Sequence, residues 1–564
     1  MLQTIFLSSL HKVSPAQCPS SPITSLSGFQ NEPISCQVAF RLAPGKEKTL
    51  PIYARVESDL PVSLYFVGYV PVIHTDVGLP NAPAPGLIGD MLLPKRLNPP
   101  IAHEGFPWGK RYFEEDRVTL NAANDSWQAL WLIVNEDGKN AAPGSHTLCV
   151  RFFSGINGQQ IGECDLEISI IAAFLPEQRI KYTNWFHYDC LSDFYNVDMF
   201  SDAFFAIMKN FVSVAVKNGM NMLLLPAFTP PLDTPIFSRR KTAQLVKIFY
   251  ENGQYNFDFS LMKKFLDLCR AAGIEYFEHS HLFTQWGAQA APQIVASVEG
   301  EKQEIFGWQT DAVGPEYKAF LHAYLPALRA FLHQEGLEEK VLFHISDEPS
   351  EENASCYRRA LETVCGLLDG LMAGDALSHY SFYQQGLVKI PIVVTSSIAD
   401  FAGQCDHLWC YYTGGQIQNG LSNRLLVSPP AFNRMIGVQM YVYRIEGFLH
   451  WAYNYYYDTL SHGLFDPKIN PCGYNNHPGT TYSVYPAQDG SAIQSTRQKA
   501  FFEGLLDVRA LELLEKLCGR SACEALIRKF FGRVTFYTTP QSPEHFLTFR
   551  KALNEAVQQA SDQA

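Results

Sequence analysis

"VLFHISDEPSEENASCYRRA", residues 341–360, contains the transition that decides the fold. An apolar run over residues 341–346 is followed by two adjacent carboxylates, Asp347 and Glu348, then by Pro349 and a helical pattern. A short buried strand that leads into a helix is the repeating unit of a parallel α/β sheet. Two like charges side by side at the end of such a strand are unexpected, and they need a structural or a functional reason.

The same alternation extends through the chain after residue 180. Seven further apolar runs are predicted to be strands: residues 181–189, 220–227, 274–280, 370–378, 390–396, 407–413 and 447–453. Amphipathic segments lie between them, such as "SLMKKFLDLCRAAG" and "EYKAFLHAYLPALRAFLHQEG", with apolar residues at helical spacing and a closing glycine. Eight strands with intervening helices predict a (β/α)₈ TIM-type barrel, and a doubly wound open sheet is the alternative.

Residues 1–175 have a different pattern. Short apolar or alternating runs such as "ISCQVAFRL", "SWQALWLIVN" and "HTLCVRFF" are separated by turn-forming residues. This pattern predicts an antiparallel β-sandwich. We therefore expect a multidomain α/β plus all-β protein. Its β-sandwich domain would span residues 1–175, and its barrel domain would span residues 176–564, with C-terminal helices from about residue 490.

Composition restricts the partners. The 564 residues carry a formal net charge of −12, which argues against nucleic acid or an anionic membrane as the main partner. The sequence has no apolar stretch long enough for a membrane span, and its first residues lack the pattern of a signal peptide. Thirteen cysteines without a CxxC pair are typical of reduced thiols. The expected location is the cytoplasm, and the oligomeric state is left open.

Polar and aromatic residues collect where the predicted strands end. In a barrel of this kind, functional groups gather at the carboxyl ends of the strands. Ring faces that pack on C–H surfaces, together with fixed donors and acceptors for hydroxyl groups, are suited to a sugar. The candidate substrate-binding residues are Asn221, His279, His281, Tyr411, Tyr412, Trp451, Tyr453 and Asn454.

The acid pair has two interpretations. Pro349 favours an extended backbone at Glu348 and ends the strand, so that both carboxylates can reach one cavity. Two close carboxylates rarely both ionise, and an acid kept protonated near neutral pH is what general-acid cleavage of a glycosidic bond requires. The alternative is structural, because acids before a helix also cap it and complement its N-terminus.

Three motifs carry a resemblance to a known family. "HISDEP", "GFLHWAYNYYY" and "YSVYPAQDGSAIQSTRQKAFFEGLLDVRALELLEKL", in this order, resemble the catalytic region of glycoside hydrolase family 123. "FQNEPISCQVAF" and "SWQALWLIVN" resemble its N-terminal sandwich. The resemblance implies a β-N-acetylgalactosaminidase-like enzyme that needs no cofactor and acts on a glycan or glycoconjugate.

The resemblance also implies roles for the pair. Glu348 would protonate the leaving oxygen and later activate water. Asp347 would hold the substrate's 2-acetamido group, whose carbonyl oxygen attacks the anomeric carbon to form an oxazolinium ion. A substrate-assisted retaining mechanism of this kind needs no enzyme nucleophile, and the sequence presents no obvious third catalytic acid.

Other functions remain open at this stage. A carbohydrate-binding or scaffold protein could keep the same fold without turnover, although a pure binder needs no proton donor. His279 and His281, two residues apart, could hold Zn²⁺ with Asp347 in a metal-dependent hydrolase. A retaining enzyme with a protein nucleophile is a third alternative.

Overall fold

A computed structural model describes residues 1–75, 77–79, 83–94, 118–473 and 477–563. Its N-terminal part is all β. The strands are β1 (Leu2–Ser8), β2 (Ser25–Phe29), β3 (Ile34–Leu42), β4 (Thr49–Glu57), β5 (Val62–Val72), β6 (Gly86–Pro94), β7 (Val118–Ala123), β8 (Gln128–Val134), β9 (Gly144–Ser154) and β10 (Gln160–Ile171).

These ten strands belong to two sheets. One contains β1, β3, β8, β5 and β6 in that order, and the other contains β2, β10, β9, β4 and β7. All pairs among them are antiparallel except β2–β10, which is parallel. Side chains of both sheets form one buried cluster. Phe40 of the first sheet and Phe152 of the second are in ring contact, with centroids 5.4 Å apart.

Eight parallel strands form a nearly closed barrel, and all eight lie within the runs predicted from sequence. They are β11 (Lys181–Asn184), β12 (Met222–Leu225), β15 (Tyr276–His279), β18 (Val341–Phe343), β19 (Met372–Leu377), β20 (Ile390–Val394), β21 (Trp409–Tyr411) and β22 (Gly447–His450). Their order is β11-β22-β21-β20-β19-β18-β15-β12. The prediction of a parallel eight-stranded barrel is confirmed.

Helices follow every barrel strand and cover its outside. They are α1 (Tyr188–Tyr195), α2 (Asp202–Lys217), α3 (Ser260–Ala272), α4 (Pro315–Gln334), α5 (Ala354–Thr363), α6 (Ser381–Gln384), α7 (Ile398–Phe401), α8 (Pro430–Val442) and α9 (Thr496–Cys518). Successive side chains on a strand point to opposite faces. One set therefore fills the barrel lumen, including Leu224, Leu342 and Leu449, while the other packs under the helices, including Leu223, Phe343 and Phe448.

Two strand–helix connections carry an additional sheet that the sequence patterns did not predict. Its strands are β13 (Lys247–Glu251), β14 (Gln254–Asp258), β16 (Ile294–Val298) and β17 (Glu301–Phe306), in the order β14-β13-β16-β17. The strands are half polar and lie in the connections that follow β12 and β15. This insertion builds up one side of the barrel's carboxyl end.

The C-terminal region joins the barrel to the N-terminal sheets. Two short strands, β23 (Tyr485–Pro486) and β24 (Ala492–Ser495), extend the first sheet because β24 pairs with β6. The helices predicted from about residue 490 begin at Thr496, with α9 followed by α10 (Arg520–Phe531) and α11 (Pro543–Ser561). Helices α8 and α9 approach closely where Gly437 faces Gly504, since a Cβ on Gly437 would lie 2.1 Å from the Gly504 carbonyl oxygen.

All thirteen cysteines are free thiols. Within the described ranges, the structure contains no helix with both the length and the apolar character needed to span a membrane.

Candidate active site

A cavity of about 380 Å³ opens at the carboxyl ends of the barrel strands. Its lining combines acids, aromatic rings and small polar groups. The lining residues are Trp185, Leu232, Asp233, Gln285, Trp286, Asp347, Glu348, Ala376, Tyr411, Thr413, Gly414, Gly415, Leu449, Trp451, His477 and Thr480. This mixture of rings and convergent polar groups is typical of a sugar site.

Asp347 and Glu348 both line this cavity, but the backbone reaches it differently from the sequence-based prediction. Strand pairing ends at Phe343, not at residue 346. Glu348 has a φ of +44°, so it lies in the left-handed region and not in the extended conformation expected before Pro349. For a non-glycine residue this conformation is strained, and such strain is concentrated at functional sites. The turn breaks the strand alternation, so neighbouring acids face one cavity.

The structural interpretation of the acid pair as a helix cap is wrong. The helical region begins with a single turn over residues 351–353, and its cap is formed by Ser350 and Asn353, whose side chains and backbone N–H groups bond reciprocally. The Ser350 N–H donates to Asn353 Oδ1 at 2.8 Å. The two acids are therefore left available to the cavity.

Asp375, on β19, holds the segment before the pair. Its carboxylate accepts the backbone N–H groups of Ile345 at 2.9 Å and Ser346 at 3.3 Å, and the Tyr357 hydroxyl at 2.5 Å. The Asp347 carbonyl oxygen accepts the N–H of Trp286 at 2.9 Å. A fully buried carboxylate thus replaces the missing ladder bonds of β18 and fixes the direction of the turn.

His344 lies beneath the pair between two buried acids. Its Nε2 is 2.9 Å from Glu278 Oε2, and its Nδ1 is 3.5 Å from Asp375 Oδ1. Burial opposes a charge on this ring, but bonding to Asp375 and Glu278 outweighs burial and raises the His344 pKa to about 10. The imidazolium therefore places a positive charge under Asp347.

The pKa of Asp347 is well above its ordinary value. Burial is the largest cause, the neighbouring Glu348 carboxylate is the second, and Asp375 adds to both, while the His344 charge partly offsets them. Two acids that share one site rarely both ionise, and the raised pKa of Asp347 favours a proton on that carboxyl in the ligand-free protein. Glu348 accepts the Tyr411 hydroxyl at 2.5 Å.

Aromatic rings form the inner wall of the cavity. Trp185 lies at its base and donates from Nε1 to Glu278 Oε2 at 2.8 Å. Trp451, the residue directly after β22, lines one side of the cavity. Its carbonyl oxygen is 3.0 Å from His187 Nε2. Trp286 is at the rim with 45% of its surface exposed. Three tryptophans around one cavity provide flat apolar faces for a sugar ring.

A third carboxylate, Asp233, lines the cavity and was missed from the sequence. It lies in the long connection after β12, has a φ of +45°, and accepts the Tyr455 hydroxyl on Oδ2. Burial raises its pKa to about 6, against the opposing effect of Arg240. The other lining residues missed from the sequence are Gln285, Thr413, His477 and Thr480. All but Thr413 lie in loops of the same kind, which have no periodic pattern to predict them.

His279 and His281 do not line the cavity. His279 faces the helices, with Nε2 2.8 Å from the Tyr324 hydroxyl and Nδ1 2.5 Å from the Ser280 carbonyl oxygen. His281 is buried under the cavity floor, stacked on His344 with ring centroids 4.6 Å apart. The two rings therefore lie in different environments. Within the described ranges, no group of three or more His, Cys, Asp or Glu residues could hold a metal ion.

Four other predicted substrate-binding residues also lie outside the cavity lining. Asn221 precedes β12, at the amino end of the barrel, and its Oδ1 accepts the Tyr182 N–H at 2.8 Å. Tyr412 and Tyr453 point outward from the barrel, where their hydroxyls donate to Asn433 Oδ1 at 3.2 Å and to the Phe211 carbonyl oxygen at 3.0 Å.

The fourth is Asn454, which is also buried. Its amide bonds the backbone of His187, accepting the N–H at 2.9 Å and donating to the carbonyl oxygen at 3.2 Å. Asn454 thus fixes the turn between β11 and α1. Among the predicted site residues, the structure brings Asp347, Glu348, Tyr411 and Trp451 together around the cavity.

Comparison with solved structures supports the fold. A family 123 glycoside hydrolase from Clostridium perfringens, whose structural analysis concerned glycolipid glycan hydrolysis, is 12% identical with a TM-score of 0.71. The match covers 100% of this chain and 98% of that chain. A β-glucuronidase from Bacteroides uniformis, 9% identical over 82% of this chain and 48% of that chain, has a TM-score of only 0.28.

Comparison at the level of sequence gives the family. A search of curated proteins found no match. The model of the glycoside hydrolase 123 catalytic domain matches residues 185–514, which is more than half of the chain and includes the acid pair and all of the cavity-lining residues. This match confirms the resemblance found in the sequence motifs, and the chain belongs to glycoside hydrolase family 123.

Proposed function

We propose that this protein is a retaining exo-glycosidase that removes a terminal β-linked N-acetylgalactosamine, or a related N-acetylhexosamine, by substrate-assisted catalysis. One observation supports the proposal above all: Asp347 and Glu348, adjacent in sequence, line the same cavity. The family adds that the reaction class is glycoside hydrolysis. The related Clostridium perfringens enzyme was studied for glycolipid glycan hydrolysis, so a glycoconjugate is the substrate class we propose here.

The first step uses the single proton of the pair. When the substrate's acetamido N–H reaches Asp347, an ionised Asp347 becomes the better partner because it can accept that hydrogen bond. The shared proton then resides on Glu348, which donates it to the glycosidic oxygen. The acetamido carbonyl oxygen attacks the anomeric carbon, the C–O bond to the leaving group breaks, and a cyclic oxazolinium ion forms.

The second step reverses the role of Glu348. Its carboxylate takes a proton from water as that water attacks the anomeric carbon, which opens the oxazolinium ring and returns the acetamido group. Two displacements at the same carbon leave the β configuration unchanged. Asp347 stabilises the positive charge that develops on the acetamido nitrogen, and Tyr411 positions Glu348 by its hydrogen bond.

The domain organisation fits this role. We propose that residues 1–175 form a β-sandwich domain and that residues 176–564 form the catalytic domain. The two regions pack against each other, since side chains of α8, α9 and α11 form one buried cluster with Leu10, Phe29 and Ile171. The N-terminal region would then act as a rigid support for the barrel and not as a mobile binding module.

The direct experiment is a set of aryl β-glycosides that differ only at C2 and C4. The proposal predicts release of the aryl group from the 2-acetamido-galactoside, with the β anomer as the first product by NMR. It also predicts competitive inhibition by a thiazoline that mimics the oxazolinium ion, because such an analogue resembles a state the enzyme stabilises.

Two results would contradict the proposal. Sugar binding without turnover in the wild-type protein would favour a carbohydrate-binding protein on the same fold. Equal cleavage of glycosides with and without the acetamido group would favour a retaining enzyme with a protein nucleophile.

A further inference from the structure

We propose that Asp233 is a specificity-determining residue, which binds the ring hydroxyl groups of the terminal sugar at C3, C4 or C6, away from the acetamido group. This inference rests on the proposed glycosidase function of the cavity. It concerns a residue that the reaction described above does not use. The relevant observations are its place in the cavity, the way it is held, and its charge.

Asp233 is built into the cavity wall. Its N–H donates to Gln285 Oε1 at 2.9 Å, and its carbonyl oxygen accepts the Ser461 hydroxyl at 3.1 Å. Its backbone has a φ of +45°, a strained conformation that the surrounding bonds must maintain. Side chain, backbone and loop are thus fixed at one orientation, with the carboxylate among the cavity-lining groups.

The carboxylate is also tied to the aromatic wall. Its Oδ2 accepts the hydroxyl of Tyr455, a fully buried ring that packs against Trp451 with centroids 5.2 Å apart. Trp451 itself lines the cavity. A sugar whose face lies on Trp451 would therefore present its hydroxyl edge to a neighbouring carboxylate, which is the usual arrangement of a sugar site.

The charge of Asp233 suits hydroxyl binding. The Asp233 pKa is raised to about 6, chiefly by burial, with a smaller contribution from Asp458, while Arg240, a backbone bond at Leu460 and His462 oppose the shift. At pH 7 most of the carboxylate is therefore ionised and accepts hydrogen bonds from hydroxyl groups. The Arg240 guanidinium, whose charge lowers the Asp233 pKa, forms a bidentate pair with Asp189 at 2.8 and 2.9 Å. Asp233 is thus an acid without an ion-pair partner among the described residues.

The position of Asp233 separates it from the reacting atoms. It follows β12, whereas the acid pair follows β18, and β15 lies between these strands in the barrel. Glu348 and Asp347 would act at C1 and on the acetamido group at C2. The hydroxyl groups that remain for Asp233 are those at C3, C4 and C6, and the configuration at C4 is what distinguishes galactosamine from glucosamine.

The test compares wild-type protein, Asp233→Asn and Asp233→Ala on an aryl 2-acetamido-β-galactoside and its 3-deoxy, 4-deoxy and 6-deoxy analogues. We expect Asp233→Ala to lower kcat/KM on the full sugar by about 10- to 100-fold, mainly through KM, because a hydrogen bond to a charged group is lost. On the analogue that lacks the bound hydroxyl, the same substitution should change kcat/KM by less than about threefold. Asp267→Asn, an exposed residue of α3, is the matched control, and thermal melting checks that each variant folds.

Each outcome decides between the alternatives. Equal losses on the full sugar and on all three deoxy analogues would overturn the proposal. Loss of kcat with unchanged KM, together with recovery of activity by added azide, would instead make Asp233 a nucleophile and overturn it as well. If the wild-type protein releases no aryl group, the proposed function fails. Calorimetric binding of N-acetylgalactosamine and its deoxy analogues to the same variants then tests Asp233 independently, with equal losses again counting against it.

Discussion

Two aspartates in this molecule, the fully buried Asp507 and the half-buried Asp347, have opposite electrostatic environments. Asp507, on α9, accepts guanidinium groups of Arg434 at 2.7 and 2.8 Å and of Arg550 at 2.6 Å. Asp347, at the cavity, has another carboxylate as its neighbour and no arginine among the described residues within bonding distance. An acid paired with cations contributes to the fold, whereas an acid placed beside another acid costs stability, an arrangement typical of functional sites.

The comparison extends to the surroundings of each group. Around Asp507, Arg434 also binds Glu503 at 2.8 Å and Arg550 also binds Glu32 at 2.7 Å, so the network joins α8, α9, α11 and the N-terminal region. Around Asp347, the cation among the described residues that offsets the raised pKa is His344, which is shared between Glu278 and Asp375. Substitutions in the network around Asp507 should therefore change the stability of the protein, whereas substitutions around Asp347 should change its activity.

The largest effect is expected at Glu348. Replacing Glu348 by Gln removes the proposed proton donor and should lower kcat by about 10²- to 10⁴-fold, the usual contribution of general acid–base catalysis. Steady-state kinetics on the aryl 2-acetamido-galactoside measures the loss. Glu352→Gln is the matched control, because Glu352 is exposed near the start of the same helical region and does not line the cavity. Unchanged kcat in Glu348→Gln would remove this residue from the mechanism.

The second prediction concerns stability and tests the ion-pair network around Asp507. Arg434→Met leaves Glu503 without its guanidinium partner and Asp507 with Arg550 alone, which should lower the free energy of unfolding by about 3–5 kcal/mol. Urea denaturation measures it, and kcat of the remaining folded protein should be unchanged. Arg533→Met, at an exposed position, is the control. A loss below about 1 kcal/mol in Arg434→Met would show that the network is not structurally important.

The third prediction separates two neighbouring tyrosines. Tyr411→Phe removes the hydroxyl that bonds Glu348 and should lower kcat about 10-fold. Tyr412→Phe, one residue later, removes a hydroxyl that points away from the lumen to Asn433 and should leave kcat unchanged. Kinetics of both variants tests the assignment of inner and outer faces. Equal losses in the two variants would contradict it.

The smallest predicted effect is a gain in stability when Asp347 is replaced by a neutral residue. A raised native pKa means that Asp347 binds its proton more tightly in the folded than in the unfolded protein. The contribution of Asp347 to the free energy of unfolding therefore falls as pH rises from its pKa in the unfolded chain, near 4, through its pKa in the folded protein. Asp347→Asn is neutral at all pH values and should stabilise the protein at pH 7 by an amount on the order of 1 kcal/mol while lowering kcat. Thermal melting of both proteins at pH 5 and pH 7 measures this difference in stability. If Asp347→Asn were less stable than the wild type at pH 7, the raised pKa of Asp347 would be contradicted.

The sequence was sufficient for the barrel and for part of the cavity. Apolar runs bounded by turn residues located all eight strands, and strand ends located Asp347, Glu348, Tyr411 and Trp451. The pattern did not resolve which neighbour faces the lumen, because successive side chains alternate and a shift of one residue exchanges the two faces. Tyr412, Tyr453 and His279 were therefore assigned to a cavity from which they point away.

Loop residues set the other limit of prediction from sequence. Asp233, Gln285 and His477 lie in connections with no periodicity, and only the folded chain shows that they meet at one cavity. The left-handed backbone of Glu348 was also unexpected, since Pro349 disfavours most conformations other than extended ones. Hydrogen bonds on both sides hold this segment in place: Asp375 accepts the N–H groups of Ile345 and Ser346, and the Glu348 N–H donates to the Ala376 carbonyl oxygen at 3.2 Å.

The most direct test of the central claim uses substrate chemistry alone. Aryl β-galactosides with acetamido, monofluoro-, difluoro- and trifluoroacetamido groups at C2 present carbonyl oxygens of steadily decreasing nucleophilicity. If Asp347 and Glu348 direct attack by the substrate's own amide, kcat/KM of the wild-type enzyme should fall steeply with each added fluorine. A rate that is unchanged across the series would show that the amide takes no part in bond cleavage and would contradict the account.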